Sequence, residues 1–149
     1  MIGHVAHPCF DVAATHAFYR DVLGATLKLS RSGHSSTWNA PYLMLVYDVH
    51  GVELDFFTYA GIVRPPPDGL PRDIRHAGIT VASADELARI RARIEGAGAE
   101  HWIELHDGPH DEHVYVRDPN GLVLEFSLAA APSPAQPGAE ATLRAWLDA

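Results

Sequence analysis

One phrase occurs twice in this chain, and its repetition limits the folds that the sequence can adopt. Residues 50–56 read HGVELDF and residues 120–126 read NGLVLEF, so glycine, leucine, a carboxylate and phenylalanine recur in order. The two acids are Asp55 and Glu125, 70 residues apart. Since alternate residues of a β-strand face opposite sides, each copy predicts a strand with an apolar face and one acid on the other face.

The elements around the two phrases repeat as well. In the first half, Asp11 is typical of a helix N-cap, and helical spacing follows over 12–23. In the second half, Ser83 and Glu86 form a capping box before another helical stretch. A polar stretch at 30–37 predicts a hairpin loop. The predicted strands are 2–10, 42–49 and 52–59, and then 75–82, 100–105, 113–117 and 122–128.

The order of elements predicts an internal repeat of one supersecondary unit. Each half reads as a strand, a helix and about three strands, and neither half is large enough to bury its own sheet. We therefore predict an α+β fold of two βαβββ modules, with the first module at 1–60 and the second at 74–129. Residues 61–73 are a Pro-rich linker, and residues 130–149 are a Pro/Ala-rich tail with a possible short helix.

Composition excludes several classes of protein. The chain has 149 residues, is 47% hydrophobic and carries a formal net charge of −8, which argues against a nucleic-acid partner. No apolar stretch approaches the length of a membrane span, and the N-terminus lacks the pattern of a signal peptide. The single Cys9 excludes an internal disulfide. We therefore expect a cytoplasmic protein without a membrane partner.

Histidines placed in matching positions of the repeat predict a metal site. His4 and His76 occupy the first strand of each half, 72 residues apart, and Asp55 and Glu125 occupy the last strand. If a pseudo-twofold axis relates the halves, these four side chains meet near it. Neutral imidazoles and carboxylates bind first-row divalent metals. The alternative is that each residue is an ordinary surface or core residue of its strand.

Three stretches resemble the vicinal oxygen chelate superfamily, which includes glyoxalase I, methylmalonyl-CoA epimerase, extradiol catechol dioxygenases and bleomycin-resistance proteins. They read HVAHPCFDVAATHAFYRDVLG, RHAGITV and VYVRDPNGLVLEF, and they span residues 2–128. The resemblance implies a cupped, largely antiparallel eight-stranded sheet with helices outside. It implies metal ligands at His4, Asp55, His76 and Glu125. Glu53 competes with Asp55, and in the dioxygenase branch neither is needed.

The spacing near the second phrase is similar to the extradiol dioxygenase signature. His106, Tyr115, the D-P-N-G turn at 118–121 and Glu125 keep that signature's intervals. His106 is then a candidate acid or base, and Tyr115 a candidate hydrogen-bond donor to a bound oxygen. Either could instead be an ordinary loop or cross-strand residue. We interpret His110 and His113 as solvated loop residues or as lining the mouth of the site.

The resemblance leaves the branch of the family open. An extradiol-type dioxygenase with Fe(II) or Mn(II) and a small catechol-like substrate is the first hypothesis. A glyoxalase I-like or epimerase-like lyase or isomerase with nickel, cobalt or zinc is the second. A metal-free small-molecule binding protein of the bleomycin-resistance type is the third, and a thiol transferase is a weaker option. By likeness to the family, we also expect a homodimer.

Overall fold

The computed structural model describes residues 4–106, 108, 111–128 and 137–148. It contains eight strands and three helices in the order that the repeat predicts. The first half holds β1 (Val5–Pro8), α1 (Val12–Ala17), a π-helical turn (Phe18–Val22), β2 (Thr26–Ser35), β3 (Ala40–Val49) and β4 (Val52–Tyr59). The second half holds β5 (His76–Val81), α2 (Ala84–Gly96), β6 (His101–Leu105), β7 (Glu112–Arg117) and β8 (Val123–Leu128), and α3 (Ala139–Leu147) follows.

The strands form two sheets of four with the same topology. The strand order is β1-β4-β3-β2 in one sheet and β5-β8-β7-β6 in the other. In each sheet the first strand pairs in parallel with the last, and the other neighbours are antiparallel. The predicted α+β class and the paired βαβββ arrangement are confirmed. The eight strands form two four-stranded mixed sheets instead of the single eight-stranded sheet that was expected.

The repeated phrase forms the centre of each sheet. Leu54 and Phe56 of β4 are 1% and 0% exposed, and Leu124 and Phe126 of β8 are both fully buried. These four residues belong to one apolar cluster that also includes residues of both helices, α1 with its π-helical turn and α2. We call this side of each sheet the core face. Because strand residues alternate, Asp55 and Glu125 lie on the opposite side, which we call the site face.

Both predicted helix starts are confirmed. The Asp11 carboxylate accepts a hydrogen bond from the Ala14 amide at 2.9 Å, and Ser83 Oγ accepts one from the Glu86 amide at 3.2 Å. Each cap satisfies an amide that has no partner within its helix. Helix α2 then buries Leu87, Ile90 and Ile94 on one face, as their spacing predicts.

The prediction of a loop at 30–37 is wrong. Strand β2 continues to Ser35, and its backbone pairs with β3 from Thr26 to Ser35. Because β2 is an edge strand and almost all of its residues are exposed, polar side chains are compatible with it. The sequence rule treated polarity as a sign of a loop, although the solvent side of an edge strand is equally polar.

The segment between the modules contains neither helix nor strand from Gly61 to Asp73. Its prolines lack amide hydrogens and restrict the backbone, so this is the expected outcome. The possible C-terminal helix is present as α3. Among the described residues, no helix has the length and apolarity that crossing a bilayer would require.

A buried hydrogen-bond network joins the two halves. Asp118, which begins the D-P-N-G turn, accepts a hydrogen bond from Tyr19 Oη at 3.1 Å and from the amides of Asn120 and Leu122 at 2.8 Å each. The side-chain oxygen of Asn120 accepts the Phe10 amide at 2.9 Å. Burial raises the pKa of Asp118, and its hydrogen bonds to Asn120 and Leu122 partly oppose this rise. The turn of the second half is thereby fastened to the first helix.

Removing this carboxylate should destabilise the whole chain. Asp118→Ala leaves two buried amides and the Tyr19 hydroxyl without their acceptor, so we expect a loss of about 2–4 kcal/mol in the free energy of unfolding. Denaturant titration followed by circular dichroism measures this change. Asp148→Ala, at an exposed position, is the control and should stay within about 0.5 kcal/mol of the parent chain. Equal stability of both variants would contradict the role of the network.

Candidate metal centre

The parallel pairing of β5 with β8 brings His76 next to Glu125. His76 Nε2 lies 2.7 Å from Glu125 Oε2, and His76 Nδ1 lies 2.7 Å from the carbonyl oxygen of Asp73. Since a carbonyl only accepts, Nδ1 carries the proton of a neutral imidazole and Nε2 presents a lone pair. That lone pair faces a carboxylate oxygen, so the two atoms repel unless a proton or a cation lies between them. Metal-binding histidines usually donate the proton of their other ring nitrogen to a carbonyl or carboxylate oxygen, as His76 Nδ1 does here.

The other oxygen of Glu125 faces a second histidine. Glu125 Oε1 is in short contact with His113 Nδ1, and His113 Nε2 lies 3.2 Å from Asp111 Oδ1. The ring of His106 stacks on that of His113 with centroids 3.9 Å apart. His106, His113 and Glu125 each offer one possible ligand atom, and these three atoms lie within 4.8 Å of one another. Ligands bound to one ion at about 2.1 Å are separated by at most about 4.2 Å, so this spacing is close to that of a site.

Tyr115 stands directly across from Glu125 in the β7–β8 ladder. Its hydroxyl lies 3.2 Å from His106 Nε2, and its ring meets the edge of the His76 ring at 5.7 Å. Burial, with Glu125 and Glu104 as further causes, raises the pKa of Tyr115 to about 12. The phenol therefore stays protonated at neutral pH and is a hydrogen-bond donor beside the carboxylate.

A second group of possible ligands lies on the site face of the first sheet. His4, Glu53 and Asp55 offer atoms within 4.8 Å of one another, and His4 Nε2 lies 4.0 Å from Asp55 Oδ2. Asp55 is 5% exposed, and its Oδ1 has no hydrogen-bond partner among the described residues. Burial raises the pKa of Asp55, partly opposed by His4. Glu53 is less available because Lys28 Nζ lies 3.2 Å from it.

The four ligands predicted from the repeat thus form two pairs. His4 lies near Asp55 and His76 lies near Glu125, and no group of three possible ligands in the described part of the chain combines the two pairs. His4 and His76 nevertheless line one cavity of about 1340 Å³.

The sequence analysis interpreted His113 as a solvated residue or as lining the mouth of the site, although it also predicted a strand at 113–117. The structure places His113 in β7, two residues before Tyr115. Residues two apart share a strand face, so the face assigned to Tyr115 already included His113. His110 lies outside the described residues.

The donor set fits a divalent metal. Imidazole nitrogens and carboxylate oxygens suit first-row ions, and the buried acceptor Asp55 Oδ1 has no hydrogen-bond partner in the part of the chain that the structure describes. Unpaired buried acceptors are costly, and a bound cation would satisfy this one. No thiolate lies near either group, because Cys9 is buried beside Thr15.

Comparison with known proteins identifies one family. The sequence profile of the Glyoxalase/Bleomycin resistance protein/Dioxygenase superfamily matches residues 1–126. No curated protein sequence matches the chain.

Solved structures show the same fold. A glyoxalase family protein from Enterococcus faecalis has 25% sequence identity and a TM-score of 0.61, covering 85% of this chain and 96% of its own. A glyoxylase/bleomycin resistance protein/dioxygenase domain from a Frankia species has 19% identity and a TM-score of 0.64, over 87% and 98% of the two chains. A fosfomycin resistance protein from Listeria monocytogenes, complexed with Mn(II) and sulfate ion, has 17% identity and a TM-score of 0.59, over 87% and 93%.

Metal uptake by single variants tests the ligands. We expect His76→Ala and Glu125→Ala to abolish binding of one Mn(II) or Co(II) per chain, and His113→Ala to weaken it by about tenfold or more. Isothermal titration and elemental analysis measure the uptake, and circular dichroism checks the fold. His34→Ala is the matched control, since His34 is exposed on the edge strand β2. Full metal content in the His76 and Glu125 variants would refute the assignment.

Proposed function

Because the chain belongs to the Glyoxalase/Bleomycin resistance protein/Dioxygenase superfamily, we propose that it is a metal-dependent enzyme acting on adjacent oxygens of a small molecule. The activity we favour is that of an extradiol-type dioxygenase on a small catechol-like aromatic. The observation that carries this choice is the His106–Tyr115 hydrogen bond of 3.2 Å, next to the His76–Glu125 pair.

His76 and Glu125 are the proposed core of the metal site, with His4 across the same cavity as its third ligand. We favour Fe(II) or Mn(II), because two imidazoles and one carboxylate suit these ions and leave open positions. When bound, the metal supplies a Lewis acid that holds two neighbouring substrate oxygens. The Mn(II) complex of the Listeria fosfomycin resistance protein agrees with a divalent ion in this fold.

Two side chains beside the metal ligands are the proposed base and hydrogen-bond donor. His106 Nε2, which lies 3.2 Å from Tyr115 Oη, is the proposed acceptor of a proton from a substrate hydroxyl. Tyr115 Oη orients the oxygen of the substrate as a donor. The stacked ring of His113 restricts His106 to one orientation.

An aromatic substrate fits the site face of the first sheet. Phe57 and Tyr59 follow Asp55 at alternate positions of β4 and so share its face. Trp38 packs against both rings, with centroids 5.9 Å and 5.5 Å away, and is 42% exposed. Tyr42 joins the same group. Flat apolar walls of this kind suit a small aromatic ring.

The second candidate is a glyoxalase I-like or epimerase-like lyase or isomerase. It is favoured by the free Oδ1 of Asp55 near His4, which gives the metal a fourth protein ligand. Nickel, cobalt or zinc would then be expected. The third candidate is a metal-free binding protein, for which the ligand positions would carry no ion.

Oxygen consumption separates these candidates. Protein purified anaerobically without a His tag should contain iron or manganese and consume O₂ with a panel of small catechols. His106→Ala should lower kcat by about 100-fold or more while metal content stays unchanged. His101→Ala is the control, because His101 is a part-buried histidine whose Nδ1 lies 2.8 Å from the carbonyl oxygen of Ala99. Bound nickel, cobalt or zinc without O₂ uptake would favour the lyase or isomerase, and absence of metal uptake would favour the binding protein.

A homodimer is the proposed assembly, supported by α3. This helix of nine residues buries none of its side chains, and Leu143, Trp146 and Leu147 are 56%, 80% and 72% exposed. An isolated helix shorter than about 12 residues is marginal in water. An apolar face at spacings of three and four therefore suggests packing on a second copy.

Light scattering after size exclusion tests this assembly. We expect a dimer for the parent chain and a monomer for Trp146→Glu, because a charge on the apolar face opposes burial. Ala141→Glu adds the same charge on the opposite face of α3 and should remain dimeric. A monomeric parent chain would contradict the proposal.

A further inference from the structure

Positively charged side chains are concentrated in the cavity that His4 and His76 line, although the chain is acidic overall. The chain has a formal net charge of −8 and 11 lysines and arginines. Four arginines line this cavity, three of them on the segment 64–75, which we call the strap. They are Arg64, Arg72, Arg75 and Arg117. An acidic chain repels anions in general, so a local cluster of cations marks one place where an anion is favoured.

Two of these arginines are already neutralised. Arg75 pairs with Asp68, and Arg117 Nε lies 3.1 Å from Glu100 Oε2. For Arg64 and Arg72, no carboxylate of the described residues lies within 4.0 Å of the guanidinium nitrogens. These two are therefore the cations available to a ligand.

Both free arginines are held against aromatic rings. The Arg72 guanidinium carbon lies 4.2 Å from the centroid of the Trp102 ring, and that of Arg64 lies 4.8 Å from the ring of Phe10. Arg64 also donates a hydrogen bond to the carbonyl oxygen of Pro119. A cation over a ring face is stabilised without losing its charge, and the guanidinium edge remains free to donate.

The strap backbone is restricted by its prolines. Arg64 precedes three successive prolines at 65–67, and Arg72 follows Pro71. Proline fixes its own φ and confines the preceding residue to extended conformations. Restriction of this kind reduces the backbone entropy that the strap loses on binding a ligand.

Arg72 lies close to the proposed reaction site. Trp102, on which it rests, stacks on Tyr115 with centroids 5.2 Å apart and an interplanar angle of 3°. Tyr115 is directly paired with Glu125. A ligand group bound by Arg72 would therefore belong to a molecule that reaches the metal ligands.

From this geometry we propose that the strap binds an oxyanion group of the substrate, a carboxylate or a phosphonate, through Arg72 and Arg64. That this group is the substrate's own end rests on the function proposed above. The planar guanidinium matches the two oxygens of such a group with parallel N–H donors. A neutral substrate would leave both arginines without an anionic partner. The substrate is thus a small organic acid whose reacting oxygens lie near His76 and Glu125.

Anion binding can be measured without turnover. Phenylacetate and phenylphosphonate are titrated against the full chain, with benzyl alcohol as the neutral probe, and binding is followed by tryptophan fluorescence. The chain has three tryptophans, so the part of the signal that is lost in Trp102→Phe reports contact at Arg72. We expect saturable binding of at least one anion, weakened by added NaCl. Arg72→Gln should weaken it by about tenfold, and Arg64→Gln/Arg72→Gln should abolish it, since each change removes a charged hydrogen-bond donor to the anion.

The control has the same loss of charge elsewhere. Arg89→Gln, on the exposed side of α2 and outside the cavity, should bind the anions as the parent chain does. The tighter of the two anions identifies the preferred group. Equal binding of benzyl alcohol, or parent-like affinity in the double variant, would overturn the proposal.

Failure of the anion site and failure of the proposed function are distinguishable. O₂ uptake with 3,4-dihydroxyphenylacetate is compared with uptake on 4-ethylcatechol, and the acid should have the higher kcat/KM. Arginine-dependent anion binding without O₂ uptake on either compound would reject the dioxygenase and retain the anion site. O₂ uptake that is equal for both compounds, together with no anion binding, would reject the anion site alone.

Discussion

Parallel pairing between the first and last strands of each module is the constraint on which the site depends. This pairing places the start of β5 beside the start of β8, with His76 opposite Val123, so that the His76 side chain reaches Glu125. It also places β1 against β4, with Ala6 opposite Asp55 and His4 just beyond the ladder. Because parallel strands need a crossover connection, the helix of each module is required for this neighbourhood. Sheet topology therefore determines which side chains can share an ion.

The two faces of each sheet have different roles: the core face provides stability and the site face carries the acids. Leucine and phenylalanine of the repeated phrase bury fully on the core face, which leaves their neighbours free to be polar on the site face. A one-residue shift in register would exchange these faces and bury both acids in the core. The strong preference of the apolar residues for burial thus holds Asp55 and Glu125 in place, although neither acid contributes to the core.

Much of this arrangement could be predicted because it follows from local chemistry. Alternation in the repeated phrase predicted the strands, and Asp11 and Ser83 predicted the helix starts, since capping depends on a few neighbouring residues. The loop expected at 30–37 failed because polarity does not distinguish a loop from an edge strand. The distance between the two ligand pairs could not be predicted from the sequence, because it depends on how the two sheets pack and no local pattern encodes that packing. His113 could have been assigned to the site from the sequence, because it lies two residues before Tyr115 in the same strand and so shares its face.

The network around Asp118 bears on the order of events during synthesis of the chain. The Phe10 amide finds its acceptor in Asn120, and the Tyr19 hydroxyl finds its acceptor in Asp118, about 100 residues later in each case. A ribosome must therefore finish most of the polypeptide before the first helix can complete its buried hydrogen bonds. Contacts of such long sequence separation slow folding, because a large loop must close first. The amino-terminal module therefore completes these buried hydrogen bonds only after the carboxyl-terminal module has been synthesised, and the two modules fold as one unit.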